Sequence, residues 1–65
     1  MKVTYDQETD SMTITLREVP IKESDEVYPN VILDIGYDDA IVRFEILSAS
    51  KVVEKIPEIQ VLVKE

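Results

Sequence analysis

The segment VILDIGYDDAIVRFEIL, residues 31–47, decides the fold because it reads as two β-strands around a turn. Residues 31–35 are apolar except for Asp34, and residues 42–46 alternate apolar and polar side chains. Both patterns are typical of strands. The residues between them, 36–39, include Gly36 and two aspartates, which tolerate the backbone conformations of a tight reversal. We therefore predict two central antiparallel strands joined by a turn in which Gly36 is the flexible residue.

Three carboxylates, those of Asp34, Asp38 and Asp39, fall within six positions of one another in this segment. Oxygen ligands of this kind suit calcium or magnesium. However, the alternating aspartates and the distant glutamate of the calcium-binding loop are absent from the sequence. We therefore interpret the aspartates as turn residues and predict no structural metal. Asp34, at the end of its strand, is expected to accept hydrogen bonds from the turn or to face water.

The first half of the chain carries further predicted strands. Apolar side chains alternate with polar ones at residues 2–6 and again at residues 12–17, with turn-forming side chains between them at residues 6–11, DQETDS. This pattern predicts a hairpin. Residues 18–30 contain two prolines and several acidic side chains. We therefore expect a short edge strand at residues 23–28, with Pro20 and Pro29 on its flanks.

After residue 47 the apolar spacing changes to that of one helical face. The residues that share this face are Ala49, Val52, Val53 and Ile56. Ser48 is the predicted N-cap, and Pro57 is predicted to end the helix. The tail at residues 58–65 alternates apolar side chains again, which favours a last strand, although its spacing also suits a helix.

Together these elements predict an α+β fold in a single domain, residues 1–65. The predicted fold is a small antiparallel β-sheet of four to five strands, arranged like a meander, with one short helix near the C-terminal end. The predicted core consists of the inward-facing strand residues Val3, Tyr5, Met12, Ile14, Leu16, Val31, Leu33, Ile35, Val42, Phe44 and Ile46. The predicted helix covers this core with Ala49, Val52, Val53 and Ile56.

Composition limits the classes of function. The chain has neither cysteine nor histidine, which removes the common zinc ligands, the thiolate nucleophile and the usual general base. A domain of this size rarely encloses a catalytic pocket within one subunit. We therefore predict that the protein is not an enzyme and has no catalytic residue, no bound metal and no cofactor. The lack of cysteine, of a leader and of a long apolar span predicts a cytoplasmic protein.

Charge and size limit the partners. Fourteen acidic against seven basic side chains give a net charge of −7. This charge repels nucleic acid and anionic membrane surfaces, so neither is a predicted partner. It contributes to solubility, and it also suits a basic protein partner. A homodimer is predicted as well, since a second copy would cover apolar surface that one small sheet leaves open.

The same segments resemble a family signature. The chain has a Y-D-x-E-x-D start, an acidic S-x-E-V stretch that leads into V-x-L-D, and a closing I-V-x-x-E-I-L-x-A-S segment. On these residues it resembles the prokaryotic family catalogued as domain of unknown function 2283. Two positions depart from the pattern: Asp39 and Arg43 stand where the family usually has glycine. The matching residues are Tyr5, Asp6, Glu8, Asp10, Met12, Ile14, Leu16, Ser24, Glu26, Val27, Val31, Leu33, Asp34, Ile41, Val42, Glu45, Ile46, Leu47, Ala49 and Ser50.

The resemblance implies a small antiparallel sheet with a helix near its C-terminal end and no assigned activity. It also implies an antitoxin or immunity role, because some members look like the second gene of a pair with a small toxin-like protein. Two hypotheses follow. The first is a non-catalytic protein-interaction module, antitoxin-like toward a basic partner. The alternative is a small-ligand or divalent-cation binding protein that uses its acidic turns.

Overall fold

Five strands and one short helix make up residues 1–53, the part of the chain that the computed structural model describes. The predicted α+β class, with an antiparallel sheet and a helix near the C-terminal end, is confirmed, although the helix has only four residues. The predicted last strand of the tail lies outside the described residues. The elements are β1 (Lys2–Asp6), β2 (Ser11–Thr15), β3 (Ile21–Tyr28), β4 (Val31–Gly36), β5 (Ile41–Ile46) and α1 (Ala49–Val52).

The strands form one antiparallel sheet in the order β1-β2-β5-β4-β3. The predicted meander is therefore wrong, since β2 pairs with β5 and not with β3. Composition supplies the reason, because β3 is strongly acidic and takes the edge, where water solvates its charges, while the more apolar β5 lies inside the sheet. β3 is also longer than predicted, since it starts at Ile21, directly after Pro20.

The sheet has one apolar and one polar face, as strand alternation requires. Cross-strand pairs align side chains in rows that run from β1 across β2 and β5 to β4. We define the apolar face by two rows: Val3, Ile14, Phe44 and Leu33, and Tyr5, Met12, Ile46 and Val31. The polar face carries the two alternate rows: Lys2, Thr15, Arg43 and Asp34, and Thr4, Thr13, Glu45 and Ile32.

Full burial is limited to a few apolar side chains of residues 1–53, namely Met12, Val42 and Ala49. Met12 and Ala49 form the centre of a cluster between the sheet and α1. Most other predicted core residues of the strands are half-buried. Leu16 and Val52, however, are 41% and 44% exposed, against the prediction. Leu16 lies just beyond the end of β2 and Val52 is the last residue of α1, so each lacks neighbours on one side. Ile56 lies outside the described residues.

The β4–β5 turn contains the predicted residues, but its left-handed backbone is at Asp39 (φ 64°) and not at Gly36. The Gly36 N–H donates to Ala40 O and the Asp39 N–H donates to Gly36 O, both at 3.0 Å. These bonds close a three-residue loop that ends in a left-handed residue. Gly36 is needed for space instead, because a Cβ there would lie 3.1 Å from both Asp38 Oδ1 and Val42 Cγ2.

The start of α1 depends on a residue from a distant turn. Ser48 is the N-cap residue, as predicted, but its backbone is left-handed (φ 50°) and its side chain makes no capping hydrogen bond. Asp10, in the β1–β2 turn, provides the cap. Its carbonyl oxygen accepts the Ala49 N–H at 2.8 Å, and its carboxylate accepts the Ser50 N–H at 3.0 Å.

α1 is also shorter than predicted. It ends at Val52 and does not reach Pro57, because Val53 adopts an extended conformation (φ −110°, ψ 120°). A helix of one turn is unstable by itself, so its packing against the sheet and its cap from Asp10 hold it in place.

Within residues 1–53, no helix is long and apolar enough to span a membrane.

Candidate functional site

The three aspartates of residues 31–47 do not converge on one site. The turn interpretation holds for Asp38 and Asp39, but it is wrong for Asp34, which lies within β4 and is fully buried on the polar face. Since each carboxylate is engaged separately, the three are not arranged to share a metal ion. Their partners are Arg43 for Asp34, Arg17 for Asp38, and Lys22 for Asp39.

Asp34 is the one charged side chain of residues 1–53 that has no exposed surface. Its Oδ1 accepts a hydrogen bond from Ser24 Oγ at 2.5 Å, and its Oδ2 accepts one from Arg43 Nε at 2.6 Å. Ser24 on β3 and Arg43 on β5 lie directly opposite Asp34 in the strand register. A carboxylate removed from water needs such partners for its oxygens. The buried charge therefore joins the edge strand β3 through β4 to the central strand β5.

Glu45 belongs to the same cluster on the polar face. Its pKa is raised, first by a hydrogen bond with Asp34 and then by burial. Burial would also raise the pKa of Asp34, but hydrogen bonds with Glu45, Ser24 and Arg43 outweigh it, so that this pKa is lowered. Arg43 Nη2 lies 3.7 Å from Glu45 Oε2. Asp34 thus keeps the negative charge, and Glu45 takes up a proton first as the pH falls.

Arg17 holds the β4–β5 turn against the end of β2. Its Nη1 and Nη2 donate to the two carboxylate oxygens of Asp38 at 2.7 and 3.0 Å. Its Nη2 and Nε also donate to the carbonyl oxygens of Ala40 and Ile41, at 3.0 and 3.1 Å. The hydrogen bonds from Arg17 are the largest cause that lowers the pKa of Asp38 to about 2. No local sequence pattern indicated this pair, because its members are 21 residues apart.

Asp10 and Tyr5, both part of the family signature, form a structural joint. Tyr5 OH donates to Asp10 Oδ1, and Ser50 Oγ donates to Asp10 Oδ2, both at 2.7 Å. The bond from Tyr5, followed by that from Ser50, lowers the pKa of Asp10, and the bond to Asp10 raises the pKa of Tyr5. Both carboxylate oxygens of Asp10 accept hydrogen bonds from side chains of the same chain. We therefore infer that Asp10 attaches α1 to the β1–β2 hairpin.

The outer strand β3 presents carboxylates that have no cationic partner. Glu23, Asp25 and Glu26 are exposed, and none of them forms an ion pair within residues 1–53. Val27 and Tyr28 follow, with 52% and 70% of their surface exposed. Glu26, Val27 and Tyr28 also line a shallow depression beside the β3–β4 turn. We call these five residues, Glu23, Asp25, Glu26, Val27 and Tyr28, the acidic edge.

The backbone of β3 is irregular at both ends of the acidic edge. The register with β4 shifts between Ile21 and Glu23 and again between Glu26 and Tyr28. Lys22 and Val27 therefore have no partner on β4. Bulges at a sheet edge interrupt the regular ladder that an added strand would need. The acidic edge is thus suited to contacts through its side chains more than to the addition of another strand.

Comparison with known proteins gives one match. A family model described as protein of unknown function (DUF2283) matches residues 2–50. The matched residues contain all five strands of the sheet and the start of α1. No curated protein and no solved structure matches the chain.

The variant Asp34→Asn tests whether the buried carboxylate stabilises the attachment of the edge strand β3 to β4. The amide keeps the shape of the side chain but removes the charge that Arg43 binds. We expect the free energy of unfolding, measured with urea, to fall by about 2–4 kcal/mol. In the control variant Asp39→Asn, which breaks an exposed pair with Lys22, the fall should be below about 1 kcal/mol. Similar losses in both variants would contradict the role given to Asp34.

The raised pKa of Glu45 predicts that stability is lost as the pH rises. A carboxyl whose pKa is higher in the folded state stabilises the fold fully below its unfolded pKa, near 4.5. This contribution disappears as the pH rises through the folded pKa. Glu45→Gln cannot ionise, so as the pH rises above about 4.5 the urea midpoint of the wild type should fall relative to that variant. The variant Glu18→Gln, an exposed control, should show the same pH dependence of the urea midpoint as the wild type. The same pH dependence in Glu45→Gln would refute the raised pKa of Glu45.

Proposed function

The chain belongs to the DUF2283 family of proteins of unknown function, and we propose that it is a non-catalytic protein-interaction module whose acidic edge binds a positively charged protein. The observation that supports this proposal best is the exposure of Glu23, Asp25 and Glu26 without a cationic partner among residues 1–53. The carboxylates of the β4–β5 turn differ, because arginine and lysine side chains of the same chain pair with them.

Electrostatics on two length scales favour a basic partner. The net charge of −7 attracts a cationic protein at long range and increases its rate of encounter. At short range, Glu23 and Glu26 lie about 10 Å apart along β3, from the rise of a strand per residue, with Asp25 between them. A basic segment lying along the strand would bring several cations within reach of these carboxylates.

The end of the acidic edge also offers an apolar anchor. Tyr28 is exposed over 70% of its surface and lies beside Val27 and Glu26 around the shallow depression. An arginine of the partner can stack on the tyrosine ring while its guanidinium pairs with Glu26. Large aromatic side chains of this kind contribute much of the binding energy in protein interfaces. The partner should therefore carry arginine or lysine next to apolar residues.

The polar cluster beneath β3 supports binding by holding the strand in one position. Ser24 lies between Glu23 and Asp25 and donates to the buried Asp34. A surface that is ordered before binding loses less conformational entropy when the partner docks. We expect the fixed position of β3 to raise affinity in this way.

A partner of this chemistry suits an antitoxin-like role, in which the module masks a basic protein in the cytoplasm. The alternative function, cation or small-ligand binding by the acidic turns, has weaker support. Asp38 and Asp39 are each paired with a cationic side chain, so a metal ion would have to displace that partner.

The proposal also includes a homodimer, because the apolar face leaves the row of Val3, Ile14, Phe44 and Leu33 only half-buried.

The test is titration with a synthetic peptide of alternating lysine and valine, followed by calorimetry at several salt concentrations. We expect binding that weakens as salt is raised, because exposed charges are screened. In the triple variant Glu23→Gln/Asp25→Asn/Glu26→Gln, the dissociation constant should rise about tenfold or more.

A matched control separates the acidic edge from net charge. The triple variant Asp6→Asn/Glu8→Gln/Glu18→Gln removes three exposed carboxylates at other places, so both triple variants have the same net charge. This control should bind the peptide within about threefold of the wild type. Equal weakening in the two variants would show that binding follows net charge alone, and the acidic edge would lose its proposed role.

A further inference from the structure

We infer that the partner segment bound by the acidic edge is a basic amphipathic helix, which lies along β3 and β4 on the apolar side of the sheet. This inference rests on the proposed function and names the form of the partner and the side from which it binds. The surface concerned is a strip of six side chains, which we call the mixed strip. Its members are Glu23, Asp25 and Tyr28 of β3 and Ile35, Leu33 and Val31 of β4.

The mixed strip continues the apolar face onto the edge strand. Its members on β4 are half-buried apolar side chains, and its members on β3 are exposed. Because residues directly opposite each other in an antiparallel pair share one face, an acidic and aromatic line runs beside an apolar line. The pairs in the strand register are Glu23 with Ile35, Asp25 with Leu33, and Tyr28 with Val31.

Glu23 and Asp25 are the carboxylates of the acidic edge that are free to bind a partner. Neither side chain forms a hydrogen bond or an ion pair within residues 1–53. Glu26 lies opposite Ile32, on the polar side of the sheet, and already accepts the Asn30 N–H at 3.1 Å. The cations of a partner are therefore attracted more strongly to the side that carries Glu23 and Asp25.

The helix α1 covers the part of the apolar face that lies away from β3. Met12 and Ala49 form the centre of this contact, and Val3, Ile14 and Ile46 pack around them. These strand residues belong to β1, β2 and β5, so the cluster includes no residue of β3 or β4 within the described part of the chain. A partner can therefore approach the mixed strip without displacing α1.

The form of the partner segment follows from the spacing of the carboxylates and from the irregular edge. Register shifts at both ends of the acidic edge disfavour an added strand. A helix is about 10 Å wide, so it can lie across two strands that are about 5 Å apart. Glu23 and Asp25 are about 7 Å apart along β3, close to the spacing of about 5–6 Å between side chains four residues apart on a helix. Lysine or arginine at such positions can reach both carboxylates.

The mixed strip also sets the sequence pattern of that helix. Its apolar stripe would contact the β4 members of the strip, while its basic flank would lie over β3, which is the arrangement of an amphipathic helix. Residues 23–28 extend over about 15 Å of strand, which corresponds to about ten residues of helix. At the end of the strip, a cation of the helix can pack on the ring of Tyr28.

The experiment compares two peptides of identical lysine, leucine and alanine content, each about 18 residues long so that a helix can form. In the striped peptide the leucines form one helical stripe with lysines beside it, and in the scrambled peptide they do not. Calorimetry with the full chain should give a dissociation constant about tenfold higher for the scrambled peptide. Equal affinities would overturn the amphipathic helix as the form of the partner.

A matched pair of variants tests the two carboxylates. The variant Glu23→Gln/Asp25→Asn should raise the dissociation constant of the striped peptide about tenfold. The control Asp6→Asn/Glu8→Gln removes the same charge at exposed positions beyond β2, and it should change that constant less than about threefold. Equal weakening by the two variants would show that the striped peptide responds to net charge and not to the mixed strip.

Methyl NMR of the isotope-labelled full chain identifies the side to which the striped peptide binds. Nuclear Overhauser effects should connect the leucine methyls of the peptide with Leu33 and Ile35. Ile32 is the internal control, because it is also half-buried on β4 but belongs to the polar face. Contacts with Ile32 in place of Leu33 would overturn the assigned side.

The outcomes separate this inference from the proposed function. If the extended lysine–valine peptide binds at the acidic edge and the striped peptide does not, the proposed function stands and the helical partner is wrong. If neither peptide binds, both are overturned.

Discussion

The buried carboxylate of Asp34 is the interaction on which the acidic edge depends. An unpartnered buried charge costs several kcal/mol, so Asp34 is tolerated in β4 only while Arg43 and Ser24 bind its two oxygens. These bonds fix the register of three strands at once. A shift of β3 by one residue would replace Ser24 with Glu23 or Asp25 on the polar face and bring a second negative charge beside Asp34. The bond from Ser24 to Asp34 therefore keeps Glu23 and Asp25 on the opposite face of the sheet from Asp34.

Separation of charge from apolar surface gives the domain two different kinds of contact. On β1, β2, β5 and β4 the two rows of the apolar face hold no charged side chain, whereas β3 adds Asp25 opposite Leu33 and Glu23 opposite Ile35. A neutral surface suits a copy of the same chain, and an acidic edge suits a basic partner. The proposed homodimer would carry two acidic edges. Two linked docking edges would increase the apparent affinity for a partner with more than one basic segment.

Sequence patterns predicted most strands, because alternation reports directly on which side chains face the core. The edge strand was also predictable, since acidic residues between prolines are typical of an exposed edge. Strand order was not, because pairs such as Ile14 with Phe44 join residues from separate hairpins. Asp34 was misassigned because an aspartate near a glycine is common in turns. The sequence did contain an indication of this pair, since Asp34 and Arg43 each interrupt an apolar strand on either side of one turn. Only the strand register shows that the two side chains lie opposite each other.

Mapping the bound peptide residue by residue tests most directly whether the acidic edge is the docking surface. The measurement is backbone amide NMR of the isotope-labelled full chain during titration with the lysine–valine peptide. The largest chemical-shift changes should lie at residues 22–28, with smaller changes in the paired strand β4 and almost none in β1, at the opposite edge of the sheet. Changes centred on the β1–β2 turn or on the β4–β5 turn would contradict the proposed function.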